Sequence, residues 1–328
     1  MENITVALNQ LSELVFQALA SLGLDKQEQR AVHDVLMYAQ TRGSSQGLIK
    51  IQERTVLPDA DCRDIQILNR SGIIATVDGG GHTGMLVMQR ATEHAIDLVK
   101  ANGLTLVNTR NTRSSTGSIG FYARQFAENG NIGIVLAGSP KVMAVEGGID
   151  PVLGTNPIAI AIPTGNAPLI LDMATAATTW FAIINARNAD QPLPERVALN
   201  NKGEPTTDAS EALSGALKTF GGAKGSGLAL MFELLTAPLA SASIVGDDAD
   251  NRGNTIIGID PSIVLGDNSY QERVDLVLNR IRAGRRANSQ IRLPGEYSES
   301  IAQHCKQTNS ITLDRNLYNS ILEIANSN

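Results

Sequence analysis

The chain has 328 residues, and its Lys and Arg number 27 against 33 Asp and Glu, for a net charge of -6. That length buries a core large enough to fold without disulfides or metal ions, while the acidic balance, with a pI near 5.3, excludes the basic footprint that nucleic acid or an anionic membrane demands. Cys62 and Cys305 stand far apart in no Cys-x-x-Cys pattern, so they read as two thiols of a reducing compartment. Met1-Glu2-Asn3 opens without a basic leader, and no run of about 18 apolar residues occurs, so the expectation is a cytoplasmic protein with no membrane span.

Leu8, Leu11, Leu14, Val15, Ala18 and Leu22 recur at helical spacing and stop at Gly23; Asp25 then takes the N-cap place of a second helix running towards Tyr38. From Asp64 the pattern shortens to Ile65-Gln66-Ile67 and Ile73 to Val77 around Ser71-Gly72, which predicts a hairpin. Helices over 85–100 and 119–128 alternate with strands over 104–107 and 132–137, the signature of a mixed α/β protein. Gly154-Thr155-Asn156-Pro157 precedes an apolar strand to Pro163, and a second strand, Leu169-Ile170-Leu171, runs into Asp172. A helix over 174–186 is expected there, its start offering unpaired amides to an anion. Residues 192–208 read as irregular. The cluster Gly221-Gly222-Ala223-Lys224-Gly225-Ser226-Gly227 precedes an apolar helix over 228–235, and lets backbone approach a ligand closely while Lys224 supplies a positive charge. The acidic, Gly- and Asn-rich stretch from Asp247 to Gly258 reads as a mobile loop, and a last helix spans 316–325.

Gly79-x-Gly81-x-x-Gly84 matches the dinucleotide fingerprint literally, after a strand and before a helix. The next strand, however, runs Leu104-Thr105-Leu106-Val107-Asn108 with no acidic residue to hold a ribose, so the motif reads as a glycine turn entering a helix.

Gly154-Thr155-Asn156-Pro157, Asp172-Met173-Ala174-Thr175, Pro205-Thr206-Thr207-Asp208 and Gly221-Gly222-x-Lys224-Gly225-x-Gly227-Leu228, in this order, resemble the malate/L-lactate dehydrogenase type 2 family. That family also contains ureidoglycolate, sulfolactate and diketogulonate oxidoreductases and the piperideine- and pyrroline-2-carboxylate reductases. The resemblance extends from Arg42-Gly43 to Pro294-Gly295-Glu296. It implies an α/β, mixed-sheet, non-Rossmann fold of the L-2-hydroxycarboxylate dehydrogenase kind. The resemblance further implies a smaller helical domain from residues 1–75 and 297–328, a cofactor-binding and catalytic domain from 76–296, and a homodimer. NAD or NADP is the implied cofactor, held by Ser139, Asp172, Met173, Ala174, Thr175, Ala176, Lys224, Pro294, Gly295 and Glu296. Nothing in the pattern suggests a metal. Asp172 and Thr175 serve equally well, on their own, as ordinary helix caps.

The family carries Ser-His-Gly after the Arg-Gly pair and a second histidine before the glycine that opens the next helix. Here the first motif is Ser45-Gln46-Gly47 and the second position is Ser115. Glutamine does not titrate and serine is a very weak acid, and losing a positioned general acid costs about 10²- to 10⁴-fold in rate. His33 and His94 fall within predicted helices and His304 near the end of the chain; His82, in the Gly81-His82-Thr83-Gly84 turn, is the one candidate for a relocated acid. The arginine that would hold a substrate carboxylate is Lys50, a tyrosine four residues on is Arg54, and Lys141 adds a further cation, though Lys50 and Arg54 equally suit a helix surface. The expectation is an NAD(P)H-dependent oxidoreductase acting on a small 2-keto or 2-hydroxy carboxylate or a cyclic 2-imino carboxylate. Its candidate catalytic residues are Ser45, Gln46, Ser115 and Asp172, with Ser45 and Gln46 orienting substrate by hydrogen bonds and Asp172 stabilising an iminium. The competing expectation is a silent homologue that binds dinucleotide or metabolite without turnover.

Overall fold

The computed structural model describes residues 2–244, 251–285 and 291–327. Strand β1 (Asn3–Ala7) leads directly into α1 (Leu8–Ser21), which buries Leu11, Leu14, Val15, Ala18 and Leu19 on one face. Helix α2 (Lys26–Gln40) starts where Asp25 accepts from the Gln27 and Glu28 amides and Glu28 reaches back to the Asp25 amide. Such a reciprocal cap contributes about 0.5–2 kcal/mol. One helical turn, α3 (Ile49–Gln52), precedes the hairpin of β2 (Gln66–Asn69) and β3 (Ile74–Asp78) that Ser71-Gly72 predicts. Helix α4 (Gly84–Asn102) crosses to β4 (Leu104–Thr112), and α5 (Gly120–Glu128), β5 (Ile132–Ala137), β6 (Ile158–Ile162) and β7 (Leu169–Met173) follow.

Helix α6 (Trp180–Asn188) begins later than the sequence suggests, at the Thr179 hydroxyl, which caps it. The stretch expected to be irregular contains the two-residue strands β8 (Ala198–Leu199) and β9 (Pro205–Thr206); after α7 (Ala209–Ser214), β10 (Ala216–Leu217) joins β8 and β9 in a small sheet. Helix α8 (Ala223–Ala240) absorbs most of the glycine cluster into its first turns. The chain then forms β11 (Arg252–Ile259), α9 (Pro261–Leu265), α10 (Tyr270–Arg282), α11 (Glu296–Thr308), β12 (Ser310–Asp314) and α12 (Arg315–Ala325).

The main sheet has seven strands in the order β2-β3-β4-β11-β5-β6-β7. Only β3 and β4 run parallel, so this is a mixed sheet and not a Rossmann fold. In the fingerprint-like turn, Gly80 and Gly81 have φ of 59° and 92°. A side chain on either would strike the 59–63 loop, whose Asp59 and Arg63 amides donate to the Gly81 and Gly80 carbonyls. These glycines serve chain packing. The ends of the chain meet as β1 pairs with β12 and α1 packs on α12.

The mobile loop expected over 247–258 needs correction: residues 247–250 lie outside the described ones, and from Arg252 onward the segment is the central strand, paired with β4 on one side and β5 on the other. Its polar residues obscure it in the sequence, yet they are matched across the ladder. The Asn108 amide donates to Thr255 Oγ1 and the Asn254 amide to Thr109 Oγ1, both at 2.7 Å, which offsets much of the cost of burying them, although Asn254 Oδ1 has no hydrogen-bond partner among the described residues. Among the described residues no helix is long and apolar enough to cross a membrane.

At Gly258, an added Cβ would lie 2.5 Å from both Phe126 and Val99. Gly258→Val is therefore expected to lower stability by about 1–3 kcal/mol, the cost of overpacking, read as a fall in the urea midpoint.

Candidate active site

Two adjoining cavities open at the end of the sheet where β4, β5 and β7 finish and β11 begins. The inner one, of about 790 Å³, is walled by the turn after α3, the 113–119 loop, the ends of β5 and β7, and the start of α6. The outer cleft, of about 690 Å³, lies between β7, α10 and the first turn of α11. Ser44, Ser118 and Asp172 face both.

Asp172 is the last residue but one of β7, not the start of a helix. It accepts from the Ser118 hydroxyl at 2.7 Å and from the Gly120 amide at 2.9 Å, and so caps α5 from across the structure. The residue is exposed to the cleft, while protein crowded around the carboxylate partly desolvates it. That desolvation raises its pKa above the ordinary carboxylate value against the two hydrogen bonds. The amides after Asp172 are accordingly not an exposed helix N-terminus: Thr175 is buried with its hydroxyl on the Thr155 carbonyl, and Ala176 is buried against Thr219.

Lys50 is 1% exposed. Its Nζ donates to Ser115 Oγ at 2.8 Å and sits 3.7 Å from the centre of the Phe181 ring, with no carboxylate paired to it among the described residues. Burial, reinforced by repulsion from Arg252, holds the amine well below the ordinary lysine range. Gln46, Arg54 and Ser115 line the same cavity, together with Arg113 and Arg252. Arg54 occupies the left-handed region at φ 52°, closing the turn after α3.

Of the cofactor-matched positions, Ser139, Asp172, Met173 and Ala174 line the inner cavity, and Pro294, Gly295 and Glu296 line the outer cleft. The Ser139 hydroxyl accepts from the Asn156 amide at 3.0 Å, which ties the Gly154-Thr155-Asn156-Pro157 turn to the end of β5. Glu296 accepts from the Leu293 amide and pairs with Arg282 at 2.6 Å, so its carboxylate shapes the turn. Deeper in the cleft, Glu299 of α11 binds Arg42 at 2.9 Å and Arg124 at 2.7 Å. Burial opposes ionisation of Glu299, but these two guanidinium hydrogen bonds outweigh it and keep the carboxyl below its usual range. Burial pushes the neighbouring Tyr38 phenol up to about 12, so it remains a donor.

Several sequence expectations fall elsewhere. Ser45 turns to the Thr179 hydroxyl at 2.8 Å and is absent from both cavity walls, as are Thr175 and Ala176. Lys141 and Lys224 are exposed and reach neither cavity. His82 is held by Glu28 at 3.0 Å, near Cys62, away from both. His33 lies between Ser12 and Asp34 and His94 against Asn69, while His304 is exposed. No histidine lines either cavity among the described residues. Arg113, Phe181 and Arg252 were missed by sequence reasoning; Arg252 because its strand was read as a loop, Arg113 because β4 runs five residues further than its apolar stretch.

The sequence profile of the malate/L-lactate dehydrogenase family matches residues 6–322. The L-sulfolactate dehydrogenase of Methanocaldococcus jannaschii is 32% identical, over 96% of this chain and 94% of that one. The Delta(1)-pyrroline-2-carboxylate reductase 2 of Burkholderia multivorans is 29% identical, over 99% and 98%. Among solved structures, a dehydrogenase from Sinorhizobium meliloti superposes with a TM-score of 0.88 at 28% identity, covering 99% of this chain and 98% of that one.

In the unfolded chain Lys50 titrates near the ordinary value of about 10.4, and in the folded protein lower. Between those two values the unfolded state binds more protons, so folding stability rises with pH across that window, and the penalty stands in full below it. Lys50→Met is expected to lack this rise and to gain on the order of 1–4 kcal/mol at neutral pH, as when buried ionic groups give way to apolar ones. Urea midpoints across a pH series check both.

Proposed function

Because the chain belongs to the malate/L-lactate dehydrogenase family, of NAD(P)-linked 2-hydroxy- and 2-keto-acid oxidoreductases, we propose that it reduces a small 2-keto carboxylate or cyclic 2-imino carboxylate with NADH or NADPH. The observation that carries this reading is the charge arrangement of the inner cavity, where Arg54, Arg252 and Arg113, the last also paired with Asp59 at 3.0 Å, share the walls with two carboxylates, Glu53 and the desolvated Asp172. An anionic carboxylate is drawn to the guanidiniums, and an iminium N–H, or a polarised carbonyl, is oriented by Asp172, Ser118 and Gln46. The reductase named for pyrroline-2-carboxylate among the relatives makes the imine a natural member of the substrate class.

The adjoining cavities have the dimensions of ligand sites, and their lining suits a dinucleotide. Arg282 and Arg292 beside Pro294-Gly295-Glu296 would hold its phosphates in the outer cleft, and Ser139, Asp172, Met173 and Ala174 its nicotinamide end in the inner cavity. When bound, the dinucleotide supplies the hydride. The chain's own part is to fix the substrate carboxylate, to exclude water behind Phe181 and Trp180, and to handle the proton.

A homodimer follows from the same reading. Leu228, Leu230, Met231, Leu234, Leu235 and Leu239 of α8 are 41–49% exposed, an apolar face that association would cover. Lys224, in the first turn of that helix, reaches no cavity of its own chain. Sedimentation is expected to give twice the chain mass, and Leu234→Glu with Leu235→Glu to give a monomer; a wild-type monomer counts against the assembly.

NADH or NADPH at a hundred times its Kd should stabilise the protein by about 2.7 kcal/mol, and a panel of keto acids and cyclic imino acids should oxidise one of the two. Absence of histidine from the cavity walls favours a second reading, a silent binder, and cofactor-induced stabilisation without turnover on any member of the panel would establish it. Absence of both stabilisation and turnover would overturn the two together.

A further inference from the structure

We propose that Lys50 and Ser115 form a proton-transfer pair, Ser115 giving the reacting oxygen its proton and Lys50 resupplying Ser115. This proposal rests on the reductase reading and deepens it: with such a pair the site supplies the proton that reduction of a 2-keto carboxylate to the alcohol requires.

The hydroxyl geometry comes first. Ser115 Oγ accepts from Lys50 Nζ at 2.8 Å and from the Gly117 amide at 3.1 Å. Those two donors occupy the lone pairs, and the hydroxyl hydrogen has no protein acceptor among the described residues. Ser115 lines the inner cavity, so its free hydrogen is available to a ligand there.

Lys50 is the second observation. A buried ammonium normally has a carboxylate beside it, and here it has a serine hydroxyl and an aromatic face instead. The charged groups facing the cavity are Glu53 and Arg54 from the turn after α3, Arg113 from the end of β4, Asp172 from β7 and Arg252 from β11. Arginines predominate, and Arg252 together with burial makes the proton easy to give up. The combination of a titratable amine poised nearer neutrality and a hydrogen-bonded hydroxyl is what proton transfer at a cavity wall requires.

The step balances as follows. The carbonyl carbon gains a hydride from the reduced nicotinamide, and the C=O π pair moves onto oxygen. That oxygen takes the Ser115 hydroxyl proton as Ser115 takes one from the Lys50 ammonium, leaving a neutral amine that recovers a proton from water. Oxidation of the 2-hydroxy acid runs the same path backwards from the neutral amine.

The test separates proton transfer from simple anchoring of a carboxylate. Lys50→Arg keeps the charge but does not titrate. The expected result is a fall in kcat of about 10²- to 10⁴-fold with KM little changed. Wild-type kcat for keto-acid reduction should fall as pH rises through a midpoint below the ordinary lysine range, and that limb should vanish in the variant. Ethylamine should restore turnover to Lys50→Ala, and fail to do so for Ser115→Ala. Wild-type kcat in Lys50→Arg would overturn the pair. Independently of turnover, the amine of Lys50 is titrated by NMR in the dinucleotide-free protein after ¹³C-methylation; an ordinary lysine midpoint overturns the pair as well. Calorimetry with NADH and NADPH on the wild type isolates the other failure, since absent binding sinks the reductase reading while leaving the titration to judge the amine.

Discussion

The pairing of β11 between β4 and β5 is the constraint from which the site follows. It sets Arg252 opposite Thr112 and Asn254 opposite Ala137, which gathers the loops after β4 and β5 at one end of the sheet. Two further antiparallel pairings then bring the end of β7, and with it Asp172, to the same end. Neighbouring strands lie under about 5 Å apart, so four segments remote in sequence contribute walls to one cavity. The polar matches Asn108 to Thr255 and Asn254 to Thr109 favour this register, because a slip of one residue would take the two amide N–H groups from their hydroxyl acceptors.

Electrostatics inside the cavity follow from burial as much as from residue type. Asp172 and Lys50 share one cavity, but each is bonded to neutral groups: the carboxylate to Ser118 and Gly120, the amine to Ser115. Desolvation therefore moves both towards their uncharged forms. A site poor in imidazole thus retains groups whose charge is cheaply changed, which is the physical requirement of acid–base chemistry near neutrality.

Much of the framework was legible because short-range chemistry wrote it. Asp25 signals a capped helix and Ser71-Gly72 a hairpin, and both hold in the structure. Long-range constraints were not legible. The apolar content of β11 is diluted by Gly253, Asn254 and Gly258, whose fitness depends on Phe126, Val99 and β4, all distant in sequence. Asp172 has the look of a helix cap and is one, but for α5, 52 residues earlier. From sequence Lys50 suits a substrate-holding cation and a helix-surface charge equally; that it lies buried against Ser115 and an aromatic ring, with no acid beside it among the described residues, is a consequence of packing α3 against α6 and the 113–119 loop.

The carboxylate of Glu299 joins helix α11 to Arg42, just beyond α2, and to Arg124 of α5. One side chain thereby ties a late segment of the chain to two early ones within the outer cleft. Removing that one carboxylate would undo both ion pairs at once, so the tie between the late segment and the two early ones depends on a single side chain.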